Sequence, residues 1–235
     1  MGHDFDADYW QAHWRETGEG DDVRLIPASP YLETELDELR PGTALDAGCG
    51  EGAEAIELAS RGWRVTGADI SAEALQRAQA RAEGAGAELT WLEADLGRWQ
   101  PEAPFDLVTT FYAHPDIPQL DFYARIAEWV APGGTLLIVG HLRGGGHAHD
   151  GGHGQDGGHA HGGGLAHGGG HAHGGDHAHE PEHPVEATVR ASDVAALLDP
   201  ERWSVVTAEE RRREIPDREG RPRLLHDVVV RATRH

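Results

Sequence analysis

The sequence holds one cysteine and no lysine. A single thiol rules out an intramolecular disulfide framework. Its place between two glycines marks Cys49 as a small packing residue rather than a nucleophile. All 20 basic side chains are arginines, set against 41 acids, for a formal charge of −21. That balance speaks against an unaided grip on nucleic-acid phosphates. The one basic cluster, Arg211-Arg212-Arg213, is short and reads as an exposed strand end or loop. Long apolar runs are also missing. The longest, residues 136–139 with their neighbours, falls far short of the roughly 20 residues of a membrane span. No charged-then-apolar leader opens the chain. The expectation is a soluble, cytoplasmic protein with no nucleic-acid or membrane partner.

What is present begins with residues 43–71, TALDAGCGEGAEAIELASRGWRVTGADIS. They read as a buried strand, a glycine turn, a helix, a second strand and an acid at its end. This is half of a nucleotide-binding βαβ unit. Gly48, Gly50 and Gly52 alternate, so the backbone can bend sharply and approach a ligand with no Cβ in the way. The following helix would present free N–H groups and a positive dipole end. Asp69, 23 residues after Asp46, stands where a carboxylate can accept from both ribose hydroxyls. Two cofactors fit this device. A dinucleotide needs G-x-G-x-x-G/A, which residues 48–53 satisfy. S-adenosylmethionine (SAM) proteins use an acid and then three alternate glycines, which Asp46-x-Gly48-x-Gly50-x-Gly52 matches completely.

The rest of the chain supplies the other parts of an α/β domain, and 235 residues suffice for a sizeable core. Residues 1–18 are acidic and aromatic and read as a helix carrying Tyr9, Trp10, His13 and Trp14, either packed on the domain or folded as a flap over a cofactor. Ser29-Pro30 opens a helix with Leu32, Leu36 and Leu39 on one stripe, ended by Pro41-Gly42. Strands are expected at 43–47, 63–68, 89–92, 105–111, 135–140, 203–208 and 224–232. Helices are expected at 52–61, from Ser71 onward, at 120–130 and at 192–198. Pro132-Gly133-Gly134 separates the third of these from its strand, and 211–222 reads as a charged turn.

Taken together, these segments resemble class I SAM-dependent methyltransferases, above all small-molecule enzymes of the bacterial tellurite-resistance and thiopurine-like kind. The resemblance covers most of residues 5–143 and 184–235. It implies a Rossmann-like fold: a seven-stranded, mostly parallel sheet of order 3-2-1-4-5-7-6, the last strand antiparallel, with helices on both faces. It also implies methyl transfer to a small-molecule acceptor. On that resemblance Gly48, Gly50 and Gly52 line the methionine end, and Asp46 orients their loop. Asp69 holds the ribose, Ile70 covers the adenine, and Asp95 with Leu96 meets the adenine edge. Tyr112, His114 and His141 are the acceptor-side residues, because ligands sit at the carboxyl ends of strands in an open sheet and histidine titrates in the working range. An NAD-linked oxidoreductase fits the glycine pattern less well and lacks an obvious second substrate domain.

Residues 144–183 interrupt this pattern. Residues 144–176 carry 16 of the 32 glycines, and residues 141–183 carry 12 of the 17 histidines. H-A-H begins at His147, His159 and His171, a 12-residue repeat, and again at His177. So little apolar surface predicts a disordered insertion within a single domain of residues 1–235. Imidazoles at His147, His149, His159, His161, His171, His173, His177 and His179 are ligands for Ni²⁺, Zn²⁺, Co²⁺ or Cu²⁺, each site weak because ordering the chain opposes it. The alternative function is therefore metal buffering or delivery on a methyltransferase-like scaffold.

Overall fold

The computed structural model describes residues 5–17, 27–142, 188–216 and 221–235. In chain order the elements are helices α1 (Ala7–Thr17) and α2 (Tyr31–Leu36), then β1 (Thr43–Ala47), α3 (Ala53–Ser60), β2 (Arg64–Asp69), α4 (Ala72–Ala85), β3 (Thr90–Glu93) and β4 (Phe105–Phe111). After them come α5 (Gln119–Ala127), β5 (Val130–Leu142), β6 (Thr188–Val189), α6 (Ala191–Ala195), β7 (Trp203–Pro216) and β8 (Pro222–Arg234). The strands join one sheet in the order β3-β2-β1-β4-β5-β8-β7. β1 to β5 run parallel, and β8 runs antiparallel to both β5 and β7. Without β6 this is the expected 3-2-1-4-5-7-6.

The central strands are apolar on both faces, as strands between two helical layers must be. Side chains alternate between two cores. Leu45, Val108 and Leu136 face α5 and α6 through Phe122, Ile126 and Val194. Ala44, Leu107 and Leu137 face α2 and α3 through Leu32, Leu36 and Leu58. Ser71 caps α4, its hydroxyl accepting from Ala74 N–H at 3.2 Å.

The structure corrects the expectations at three places in the sheet. Among the described residues it has eight strands rather than seven, because Thr188 and Val189 pair with His141 and Leu142. β8 holds the other edge of β5 as far as His141, so β6 takes the edge that β4 leaves after Phe111. Second, the Pro-Gly-Gly segment lies inside β5, not before it. Phe105 pairs with Val130 and Leu107 with Thr135, a register shift that absorbs the extra residues with Gly133 at φ 79°. Third, the charged 211–222 stretch is largely strand. Antiparallel pairing continues from Trp203↔Arg234 to Pro216↔Pro222, well past the end of β5. Its charges are tolerated because an edge hairpin keeps a solvated face. The 144–183 insertion lies outside the described residues.

Candidate active site

The glycine turn joins β1 to α3, and neighbouring backbone fixes its shape. Gly48 and Cys49 N–H both donate to the Ala68 carbonyl at the end of β2, at 2.8 and 3.0 Å. Gly50 N–H donates to Asp69 Oδ2 at 2.8 Å, and Ser71 N–H to Asp69 Oδ1 at 2.9 Å. Asp69 is thus the brace of the turn as well as the acid at the strand's end. Each of its oxygens keeps a further lone pair, which leaves two acceptor sites for a pair of ribose hydroxyls.

All three glycines have positive φ, 79°, 49° and 74°, but they face different neighbours. A Cβ on Gly48 would lie 2.3 Å from Ala113 Cβ, in the loop after β4. One on Gly52 would lie 2.6 Å from the Trp91 ring of β3, so Gly52 serves close packing. Gly50 faces α1, where a Cβ would stand 3.1 Å from the Trp14 ring.

Three carboxylates gather at this turn. Asp46 is 1% exposed, accepts the Thr109 hydroxyl on Oδ1 at 3.1 Å, and leaves Oδ2 with no hydrogen bond. Burial, then the nearby Glu54 charge, holds its carboxyl well above the usual range, against the pull of Thr109. Burial also raises Glu54 and Asp69, against the opposing N–H groups of Ser29 for the first and of Ser71 and Gly50 for the second. Burial, then the charges of Asp46 and Asp69, pushes the Cys49 thiol up, so it is no thiolate nucleophile. A cation placed here would relieve all three acids. SAM carries a sulfonium and an ammonium group, so the orphaned Asp46 oxygen and the Cβ-free face of Gly50 fit it.

A pocket of about 310 Å³ is lined by Ile70, Ala94, Asp95 and Arg98, the residues expected at the adenine end among them, and by Asp6 and Ala7 at the start of α1. Asp95 Oδ1 accepts Gly97 N–H at 2.9 Å, and Oδ2 lies 3.4 Å from Arg98. Leu96 is buried in the core and does not line this pocket.

Helix α1 crosses the crevice. Trp10 Nε1–H donates to the His114 carbonyl at 3.1 Å, and Gln11 Oε1 accepts from the Ser71 hydroxyl at 3.0 Å. The Arg77 guanidinium donates to the Trp14 carbonyl and lies 5.9 Å over its ring. His13 packs among Tyr9, Trp10 and Trp14. The aromatic segment therefore lies over the glycine turn.

Tyr112, His114 and His141, the residues expected on the acceptor side, come together at the carboxyl ends of β4 and β5. His141 stacks on His114 with centroids 5.3 Å apart and meets Tyr112 at 4.7 Å. Trp10 of α1 and Phe5, just before it, extend this aromatic wall. Gln119 Nε2 donates to the Ala113 carbonyl, which turns Oε1 toward His114 Nδ1 at 3.3 Å. That assigns the proton to Nδ1 and the lone pair to Nε2 in the neutral ring.

Sequence reasoning missed a buried group behind this wall. Asp227 of β8 is 0% exposed and accepts from Tyr31, Tyr112 and Arg213. Arg213, read as part of an exposed basic cluster, is half buried by this pairing, and Arg211 pairs with the buried Glu35 at 2.7 Å. The signal was available: a lone acid opening the apolar run Val228-Val229-Val230 needs a partner. The eight tract histidines lie outside the described residues. Among the described residues no group of three or more His, Cys, Asp or Glu is arranged to hold a metal, and no helix is long and apolar enough to cross a membrane.

Residues 44–134 match the profile of the methyltransferase domain family. That span includes β1, the glycine turn, Asp69, Asp95 and the Tyr112–His114 loop. Over this span the chain is similar to methyltransferases. A stretch of 117 residues is 40% identical to an uncharacterized methyltransferase of Mycobacterium tuberculosis, taking in 48% of this chain and 58% of that protein. Another of 124 residues is 35% identical to a trans-aconitate 2-methyltransferase of Rhizobium etli, covering 50% of this chain and 45% of the relative. The chain thus spans about half the length of the curated relatives it matches. Two solved methyltransferases share the fold. The N-methyltransferase NodS of Bradyrhizobium japonicum, in complex with S-adenosylhomocysteine (SAH), gives a TM-score of 0.61 at 15% identity, over 95% of this chain and 97% of its own. Magnesium protoporphyrin IX methyltransferase of Synechocystis, with bound SAM, gives 0.58 at 16% identity over 100% of both chains.

Proposed function

We propose that this methyltransferase transfers a methyl group from SAM to a small-molecule acceptor. One observation carries the reading: Asp69 braces a three-glycine turn while the buried Asp46 keeps an unpaired oxygen beneath it. Asp69 would hold the ribose, and Ile70 with Asp95 the adenine. The acidic turn would hold the cationic methionine end, with Gly50 giving it a flat floor. SAM supplies a methyl on cationic sulfur: the acceptor lone pair bonds that carbon as the carbon–sulfur bond breaks and its electron pair returns to sulfur. The protein's work is positioning and exclusion of water, for which α1 is placed. His114 or His141 would take a proton from the acceptor. Trans-aconitate, the substrate named for one relative, is the first acceptor to try.

The test is calorimetric titration with SAH, metal chelated, on the wild type and Asp69→Ala. Losing hydrogen bonds to a charged acceptor costs about 1.5–3 kcal/mol, roughly tenfold or more in affinity. No binding to the wild type would sink the assignment. The histidine tract supports a second reading from sequence alone, weak divalent-metal binding at its H-A-H pairs.

A further inference from the structure

Behind the aromatic wall, Tyr112, Asp227 and Arg213 close a hydrogen-bonded ring, and Tyr31 joins it at Asp227. Tyr112 O–H donates to Asp227 Oδ1 at 2.8 Å, and Tyr31 O–H donates to Oδ2 at 2.9 Å. Arg213 Nε–H donates to Oδ2 at 2.7 Å, and a second guanidinium N–H donates to the Tyr112 oxygen at 2.9 Å. The Tyr112 phenol thus gives one hydrogen bond and receives another, both from buried or half-buried partners. Its backbone is the only described non-glycine residue at positive φ, 55°, with its N–H fixed to the Val139 carbonyl at 2.9 Å. Such a conformation is held only where the surroundings determine it. The phenol points toward β8, and the ring face meets His141.

We propose that Tyr112 is a positioning residue and not the proton acceptor: Asp227, with Arg213 and Tyr31, fixes its hydroxyl, so its ring sets His141 and leaves acceptor deprotonation to the imidazoles. This deepens the methyltransferase reading and rests on it. The proton lost by the acceptor as the new bond to carbon forms goes to His141 or His114. Tyr112 keeps its own proton throughout.

The electrostatics agree. Burial, then the Asp227 charge, raises the Tyr112 pKa, with Arg213 opposing, and the same two causes push Tyr31 up to about 12. The charged groups facing the two phenols are Asp227 on β8 with Arg213 and Arg211 on β7.

The experiment is an alkaline titration of phenolate absorbance on the full chain, followed to about pH 11, just above the ordinary tyrosine range. Wild type and Tyr112→Phe should give superimposable curves, because Tyr112 contributes no step. In Asp227→Asn the phenol keeps Arg213 and loses the carboxylate. New phenolate absorbance should then appear at lower pH from Tyr112 and Tyr31, and the Asp227→Asn, Tyr112→Phe double variant should lose the Tyr112 share of it, about one phenolate per chain, and keep that of Tyr31. A wild-type step that Tyr112→Phe removes within this window overturns the proposal, whether or not Asp227→Asn folds. So does an Asp227→Asn protein that folds and shows no Tyr112 share. SAH titration separates the two readings. Tyr112→Phe should bind SAH within about twofold of wild type, and a tenfold loss would move Tyr112 to the cofactor side and refute the proposal. A wild type that does not bind SAH refutes the methyltransferase reading alone.

Discussion

Replacing Gly48 with alanine should couple two parts of the site that are far apart in sequence. The new Cβ would stand 2.3 Å from Ala113 Cβ, where ordinary contact needs about 4 Å. The φ of 79° adds left-handed strain of about 1–2 kcal/mol for a side-chain-bearing residue. Overpacking costs about 1–3 kcal/mol more, so the variant should lose about 2–5 kcal/mol. At roughly 2–4 °C per kcal/mol for a domain of this size, the thermal midpoint should fall by about 4–20 °C. Ala113→Gly removes the opposing methyl and leaves Ala113 Cα at 3.5 Å, an ordinary contact. In the double variant the clash term should vanish while the strain remains. Thermal unfolding of all four proteins of the cycle gives the coupling, expected at about 1–3 kcal/mol in the rescuing direction. Additivity within about 0.5 kcal/mol would show that the turn and the loop after β4 do not touch as described.

Three further outcomes are expected. Asp46, Glu54 and Asp69 bind protons more tightly in the fold than in the unfolded chain. Their contribution to stability is therefore full below the unfolded carboxylate pKa, about 4, and is lost as pH rises through the raised values. The midpoint of the cofactor-free protein should climb as pH falls from 7 toward about 5, and Asp46→Asn should flatten that slope; a slope unchanged in Asp46→Asn would refute the burial argument. Trp14→Ala removes the ring over Gly50 and its contact with Arg77. SAH should then dissociate faster and bind about fivefold to thirtyfold more weakly, equivalent to about 1–2 kcal/mol, and stopped-flow release rates equal to wild type would exclude α1 as a cover. Removing residues 144–183 should leave SAH affinity and the midpoint nearly intact while abolishing zinc or nickel uptake measured by calorimetry; loss of SAH binding would tie the tract to the site.

Where chemistry is local, the sequence was legible. β1 and β4 fall on their expected residues, and β2 with α3 falls within one or two. A buried parallel strand followed by alternate glycines leaves few other folds. Asp95 and Ile70 line one pocket, while Leu96 packs in the core. The helix ending at Ala127 was drawn too long and β5 too short, because Pro-Gly-Gly usually stops a pattern while here it forms a bulge against Phe105. Asp227 went unread since its partners lie 14, 115 and 196 residues away, and no spacing rule reaches that far. The positive φ of Tyr112 has no sequence sign, being imposed by those distant bonds.

The β7–β8 hairpin has an evolutionary consequence. It lies wholly outside residues 44–134, the span that carries the family profile, and it joins the rest of the sheet only through the β5 ladder. Its contribution to the acceptor wall is concentrated in Asp227 and Arg213. Drift in the hairpin can therefore reshape the surroundings of Tyr112 while the glycine turn stays still. For an engineer the same junction is a cassette boundary: a transplanted ribbon must preserve the backbone ladder along β5, fill both cores as Trp203, Val228, Val229 and Val230 do, and offer a carboxylate to Tyr112.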